Sequence, residues 1–379
     1  MNGTIDQRSK GSWRIRYSLP RDANGRRKHI NETVRGTKAE AQAVLRDRLT
    51  ALASGGFVEK DRETVAEFMN RWFEIYAIPN TDAKTQQGYR GIIRRYIVPA
   101  LGNIKVQSLT ARQVQALYSD MQSRGIGAPS VVSVHRVIRE ALGHALNWGI
   151  VTKNVAVATK PPRIERKTME MWDIPDIHRF LDAAFDDSFY PVYQLAVLTG
   201  LRRGEVFGLK WDAVDLEGST LSVTRTLQRI SGRGLVEGQP KTPRSRRNID
   251  LAPGALALLD DVRAAQVGNR LEYGDFWQDT GHVFTHLNGS PIDPDYISKR
   301  FAKLVRASGL PHLTFHGLRH AHATLAFVAG VSPKTISERL GHASIAITMD
   351  IYAHVLPGMG ADAALAVERL LARPDMEQV

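Results

Sequence analysis

The sequence predicts a multidomain protein, mainly α with small β-sheets, in three parts. These are a small three-stranded sheet plus helix, an all-α unit, and an α+β unit with a tail helix. Three observations predict this. At 379 residues the chain is long enough for two or three domains with cores of their own. Apolar residues recur at helical spacing over much of its length, whereas alternating, strand-like runs are few and short. A proline-broken, charged stretch, Thr159-Lys-Pro-Pro-Arg-Ile-Glu-Arg-Lys167, interrupts the patterning and marks the clearest boundary. The predicted parts are residues 1–58, 64–157 and 168–379, with 59–63 as a linker.

Composition narrows the function. Hydrophobic content of 43% and charged content of 24% are ordinary for a globular protein. A net charge of +12 and a pI near 9.9 are not, and a polyanionic partner, nucleic acid first among them, accounts for them. The absence of cysteine excludes disulfides, thiolate zinc sites and cysteine nucleophiles, and it suits a reducing cytoplasm. The N-terminus is polar, and no apolar run is long enough to cross a bilayer, so no membrane association is expected.

In the first part, Trp13–Leu19 alternates as a strand, residues 22–25 form a turn, and Arg27–Val34 is the returning strand. Thr37 caps a helix running to about Ser54, with Glu40 completing a capping box. More than half of the net charge lies in this part. The sheet offers Arg14, Arg16, Arg26, Arg27 and Lys28 to DNA, although a solvated charged surface would have the same composition.

In the second part, Val65, Phe68, Met69, Trp72, Phe73 and Tyr76 mark one amphipathic helix. Tyr89, Ile92, Ile93, Tyr96 and Ile97 mark another, with Arg90, Arg94 and Arg95 on its outer side. A third helix starts at Leu109-Thr110. A fourth runs from Ser130 to about Trp148 and carries His135, Arg136 and Arg139. Its arginines and those of the second helix suit phosphate contacts, which position a protein on a duplex without reading its sequence.

In the third part, Ile174–Ala184 and Tyr190–Leu198 read as helices. Arg202 then precedes a short helix that buries Val206, Phe207 and Leu209, with Glu205 placed to orient a guanidinium. Thr220–Leu227 and Asn248–Leu251 read as strands. Between them lies Pro240-Lys-Thr-Pro-Arg-Ser-Arg-Arg247, where Lys241 on a turn can protonate a leaving oxygen. Plain attraction to a DNA backbone would equally explain Arg244, Arg246 and Arg247.

The densest chemistry lies in residues 316–355. Leu318, Ala321, Leu325 and Val328 bury one helical face and leave Arg319 and His320 on another. Ser332 and Pro333 start a further helix, which Gly341 closes. His342 follows, and Tyr352 comes ten residues later on another short helix. Guanidinium and imidazole suit a phosphate, and a tyrosine hydroxyl can form a covalent intermediate. His316 and His320, four apart, also match a zinc pair, but Gly317 stands where that motif needs glutamate. The set points to phosphodiester chemistry on nucleic acid.

TGLRRGE, the KTPRSRR turn, HGLRH, LGH and a tyrosine ten residues on, in that order, resemble the tyrosine recombinases, closest to the phage and mobile-element integrases. The resemblance implies an arm-type DNA-binding domain at 1–58, a SAM-like core-binding domain at 64–157 and a catalytic domain beyond. It implies that Arg202 and Arg319 bind the scissile phosphate, Lys241 is the general acid, and His316 and His342 hydrogen-bond the phosphate. Glu205 would hold Arg202, His320 would support the site, and Tyr352 would be the nucleophile giving a 3′-phosphotyrosyl link. No cofactor or metal is implied. The partners implied are double-stranded DNA with core-type and arm-type sites, a homotetramer on synapsed DNA, and an excisionase or host DNA-bending protein. The implied location is the cytoplasm of a bacterial host, at the nucleoid. One departure is Asn154-Val155, where many relatives have Asn-Pro. A topoisomerase with the same chemistry and a non-cleaving DNA-binding regulator are the competing readings.

Overall fold

The computed structural model describes residues 3–21, 25–53, 58, 61–165, 171–240, 245–342 and 344–355. Lys241, Arg244 and the expected tail helix at 362–372 lie outside the described residues, as does most of the turn at 22–25. The chain divides into two compact units, Met1–Arg166 and Lys167–Val379.

The first unit opens with an antiparallel sheet of β1 (Gly3–Ser9), β2 (Ser12–Arg21) and β3 (Arg27–Arg35), in that order. β1 has one strongly apolar residue, Ile5, opposite Ile15, so its alternation is faint in the sequence. Ile15 and Tyr17 pack on Ala41, Leu45 and Leu52 of α1 (Lys38–Ala53). Thr37 caps that helix: its N–H donates to Glu40 at 2.7 Å, and the Glu40 N–H donates back at 3.3 Å. Arg48 of α1 grips Glu32 of β3 through two hydrogen bonds of 3.1 Å. Because strand side chains alternate, Arg14, Arg16 and Arg27 share the face turned away from α1. Lys28 is one residue out of step with them, so the expected single basic face does not include it.

Two long helices follow, each with a π-helical turn. α2 starts at Val65–Trp72 and continues through the π turn Phe73–Ala77 to Asn80. α3 starts at Ala83–Ile92 and continues through the π turn Ile93–Ile97 to Leu101. The extra residue in each π turn keeps Phe73 and Ala77, and Ile93 and Ile97, against the core. α4 (Ala111–Ser123) is capped by Thr110 with Gln113. α5 (Ala128–Asn147) begins two residues before Ser130, because Pro129 suits a first helical turn. Phe68, Trp72, Tyr118, Met121, Val134 and Ile138 fill the centre of this bundle.

The second unit runs α6 (Ile174–Ala183), α7 (Tyr190–Thr199), α8 (Arg203–Phe207), β4 (Val214–Asp215), β5 (Thr220–Ser222), β6 (Thr226–Ile230), β7 (Gly234–Gly238) and β8 (Asn248–Asp250). It ends with α9 (Pro253–Tyr273), α10 (Pro294–Ala307), α11 (Gly317–Val328), α12 (Pro333–Leu340) and α13 (Ile345–Val355). Strands β4-β5-β8 form one sheet, and β6 and β7 form a separate hairpin. The single strand expected at Thr220–Leu227 is therefore two strands in two sheets. Thr226 passes so close beneath Gly208 that a Cβ there would stand 2.7 Å from its Cα. Between the two strands, Arg225 is held by Asp212 at 2.7 and 2.9 Å.

An aromatic cluster of Phe180, Tyr193, Phe301 and Phe315, with centroids 5.0–6.3 Å apart, backs α7 and the start of α11. α11 is buried more completely than its apolar spacing indicates. Phe327 is buried while Val328 is 52% exposed, and Arg319, expected on a separate face, is 1% exposed. Among the described residues no helix is long and apolar enough to cross a membrane.

Candidate active site

The site is built where two helices end. α7 closes at Gly200, in the left-handed region at φ +65°, and α12 closes at Gly341, at φ +64°. The N–H of His342 donates to Ser337 O at 3.0 Å and completes the second turn-off. Helix C-termini carry partial negative charge and unpaired carbonyls. Here those carbonyls hold guanidiniums. Arg319 donates Nη1 to Gly200 O at 2.9 Å and Nη2 to Leu340 O. Arg202 donates Nη2 to Gly341 O at 2.7 Å. Gly200 fits for a second reason: a Cβ would meet Leu340 Cδ2 at 2.4 Å and a His322 ring carbon at 2.8 Å.

Arg202 is the N-cap of α8, and Glu205 sits three residues on. Glu205 accepts from the Arg202 N–H at 2.9 Å and from Arg202 Nη1 at 2.8 Å. It also accepts from Arg247 Nη2 at 2.9 Å and Nη1 at 3.2 Å. Its side chain is 2% exposed, so this is no surface pair worth tenths of a kcal/mol. Burial alone would raise the Glu205 carboxyl, but the Arg247 hydrogen bonds and the two guanidinium charges outweigh it and hold the carboxyl below its usual value. Burial, then the charge of Arg202, pushes Arg319 down to about 9, which leaves it cationic at neutral pH. Each guanidinium has five N–H donors. Among the described residues, Arg202 and Arg319 each show two of these used within the protein.

Three histidines stand around these cations. His342 is buried, and its Nδ1 lies 2.7 Å from Thr348 Oγ1. Burial, then the charges of Arg319 and Arg202, pushes it down to about 3. Loss of water around its ring, then His320, Arg319 and Arg202, pushes His316 down to about 4. His316 also keeps an exposed surface. The His316 ring stands edge-on to His320, centroids 5.1 Å apart. Burial and Arg319 lower His320, whose buried Nδ1 has no hydrogen-bond partner among the described residues. All are neutral imidazoles at pH 7, able to donate from one ring nitrogen and accept at the other. Among the described residues no group of three His, Cys, Asp or Glu is arranged to hold a metal ion.

Of the residues singled out in the sequence, Arg202, Glu205, His316, Arg319, His320 and His342 come together here. Tyr352 lies on α13, which packs on α11 and α12; its side chain is outside the described residues. An open groove of about 350 Å³ runs past Arg202, lined also by Arg203, Gly204, Gln228, Pro240 and Gly341. Two further residues belong to the site's framework. His322 places Nδ1 at 2.8 Å from Val197 O while its Nε2 accepts from Arg339 at 3.3 Å, which joins α7, α11 and α12. Arg247, which sequence reading put with Arg244 and Arg246 as plain attraction to a DNA backbone, is 7% exposed at its side chain. Nothing in the local sequence separates it from Arg246, which is exposed and donates to Gln239.

The other candidate DNA contacts are dispersed. Arg94, Arg95, Arg136 and Arg139 are exposed on α3 and α5. Arg90 is exposed but engaged, 3.6 Å from Glu74 and over the Phe73 ring at 4.9 Å. Arg14 is 3.5 Å from Asp6, while Arg16, Arg26, Arg27 and Lys28 are exposed.

Residues 169–358 match the phage integrase family, and residues 64–122 match its N-terminal SAM-like domain. A XerC-like tyrosine recombinase of Caldanaerobacter subterraneus is 30% identical, over 92% of this chain and 93% of its own length. The chain belongs to the phage integrase family. It is a tyrosine-type site-specific recombinase of the integrase kind, multidomain and mainly α. The ICEBs1 integrase of Bacillus subtilis is 26% identical over 75% of this chain and 77% of its own length. Among solved structures, the Tn1549 transposon integrase in complex with transposon right-end DNA superposes with a TM-score of 0.67. It is 22% identical and covers 82% of this chain and 100% of its own. A lambda integrase tetramer bound to a Holliday junction superposes at 0.59, with 20% identity over 92% and 94%.

Proposed function

We propose that this integrase cuts and rejoins duplex DNA through a 3′-phosphotyrosyl intermediate on Tyr352, integrating and excising a phage or mobile element. The observation that carries the reading is the pair Arg202 and Arg319, both anchored on carbonyls at helix C-termini. Such a pair stabilises the charge that develops on a pentavalent phosphorus. The Tyr352 oxygen attacks phosphorus as the bond to the 5′ oxygen breaks. Lys241 gives the departing oxygen its proton, and the phenolic proton leaves to His316, a neutral acceptor at pH 7. His342 donates to a non-bridging oxygen, with Thr348 fixing its ring. The ester keeps the energy of the broken phosphodiester, so a 5′ hydroxyl can reverse the step without ATP.

On this reading residues 1–58 take arm-type sites and residues 64–157 grip the core site. Four protomers exchange strands through a four-way junction, in the cytoplasm at the nucleoid of a bacterial host, with an excisionase or host bending protein setting direction. The structures of related integrases on transposon-end DNA and on a Holliday junction support it. The test is a nicked suicide substrate. The wild type should form a covalent protein–DNA adduct in the presence of a chelator, and Tyr352→Phe should bind without forming one. An adduct in the phenylalanine variant would remove Tyr352 from its role. Supercoil relaxation by a monomer without strand exchange would favour the topoisomerase reading.

A further inference from the structure

We propose that Arg247 is a positioning residue for strand cleavage: it sets Arg202 through the carboxylate they share and never touches DNA itself. Its nitrogens are committed inside the protein. Nε donates to Arg339 O at 2.6 Å, Nη1 to Glu205 and to Ser245 O at 3.1 Å, and Nη2 to Glu205. Arg202, by contrast, is one-third exposed at its side chain and borders the open groove. Each arginine gives Glu205 two bonds, Arg247 both from its guanidinium and Arg202 one from its guanidinium and one from its backbone N–H. Oε1 takes Nη1 from each, and Oε2 takes the Arg202 N–H and Arg247 Nη2. A buried carboxylate held from two sides cannot pivot, and half of its charge is already answered. Arg202 is therefore fixed in direction without being neutralised, and its remaining positive charge is left for a phosphate. The bond to Arg339 O adds a second tie, because that carbonyl immediately precedes the Leu340 and Gly341 carbonyls that hold Arg319 and Arg202.

If Arg247 acts through the charge that Arg202 presents, its loss matters only when the scissile phosphate is charged. The inference rests on the phosphotyrosyl reading, and the experiment separates the two. Full-length wild type, Arg247→Met, Arg247→Lys and Arg202→Ala are compared in single-turnover adduct formation. One suicide substrate carries an ordinary scissile phosphodiester, the other an uncharged methylphosphonate at that position. On the phosphodiester, Arg247→Met should be slower by about tenfold to a hundredfold, below the 10²–10³ of losing a direct donor, with DNA affinity unchanged. On the methylphosphonate its rate should approach that of the wild type, as should that of Arg202→Ala. Arg247→Lys, which keeps the charge without the fork, should fall between. An equal deficit on both substrates would reduce Arg247 to a structural ion pair and overturn the inference, as would no deficit on either. Should the methionine variant not fold, the lysine variant carries the same comparison. If the wild type forms no adduct at all, the phosphotyrosyl reading fails first.

Discussion

Gly200→Ala tests the architecture of the site at one methyl group. The perturbation has two parts. The backbone stands at φ +65°, where an L-residue costs about 1–2 kcal/mol. The added carbon would lie 2.4 Å from Leu340 Cδ2 and 2.8 Å from the His322 ring, well inside van der Waals contact. Both neighbours are buried, so neither can swing away, and overpacking of this kind adds about 1–3 kcal/mol. Together these predict a loss of about 2–5 kcal/mol, or on the order of 5–15 °C in melting temperature for a unit of this size. Urea unfolding followed by tryptophan fluorescence measures it. Because Leu340 takes the closer contact, Gly200→Ala with Leu340→Ala should lose less than the sum of the single losses. Adduct formation should fall as well, since the Gly200 carbonyl carries Arg319. A stability change under about 1 kcal/mol, or strict additivity with Leu340→Ala, would refute the packing on which this reasoning stands.

Glu205→Gln leaves the buried Arg247 guanidinium and the one-third-exposed Arg202 guanidinium facing an amide. It should cost about 3–5 kcal/mol by urea unfolding and slow adduct formation, and a parent-like midpoint would disprove the shared-carboxylate geometry. Because its folded pKa is depressed, the Glu205 contribution is complete above about pH 4.5 and is lost as pH falls below that, so the variant should be less acid-sensitive than the parent in that window. His322 and His342 act at higher pH. Their folded values of about 4 and 3 lie below the unfolded 6.5, so stability should decline as pH drops from 6.5, by up to about 1.4 kcal/mol per unit for each. A flat profile from pH 6.5 to 5 would contradict their buried, neutral state. In the first unit, Thr64→Ala removes the half of the α2 capping box in which Thr64 Oγ1 accepts from the Glu67 N–H at 3.3 Å, leaves the bond from the Thr64 N–H to Glu67 at 2.8 Å, and should cost about 1 kcal/mol in thermal melts.

What the sequence revealed divides by the range of the signal. Caps and helix ends are local, so Thr37 with Glu40, Ser332-Pro333 and Gly341 were legible and stand where expected. Arg202, Arg319, His316 and His342 were legible as a group, because cations and imidazoles in that order are uncommon, and the structure brings them together. What was not legible depends on the third dimension. Helical periodicity put Arg319 on a separate face, yet α7 and α12 close over that face from outside α11. The strand at 220–227 looked continuous because nothing in it announces Gly208 overhead. β1 passed unplaced because an edge strand with a solvated face needs little apolar alternation. Long helices α9 and α10 went unassigned, since residues 253–307 mix apolar and polar positions with loops between them. Arg247 is the sharpest case, as identical chemistry one position earlier, in Arg246, ends in solvent.

The anchorage at the end of α12 consists of three successive peptide oxygens, those of Arg339, Leu340 and Gly341, each gripping a different guanidinium. Replacing side chains one at a time through 339–341 would leave every one of those acceptors standing. An alanine survey would thus score the turn as dispensable on electrostatic grounds while missing the feature that organises the cations. Only alterations to the main chain itself, such as a β-branched residue forced into the left-handed conformation at 341 or an ester in place of an amide, would make this dependence visible.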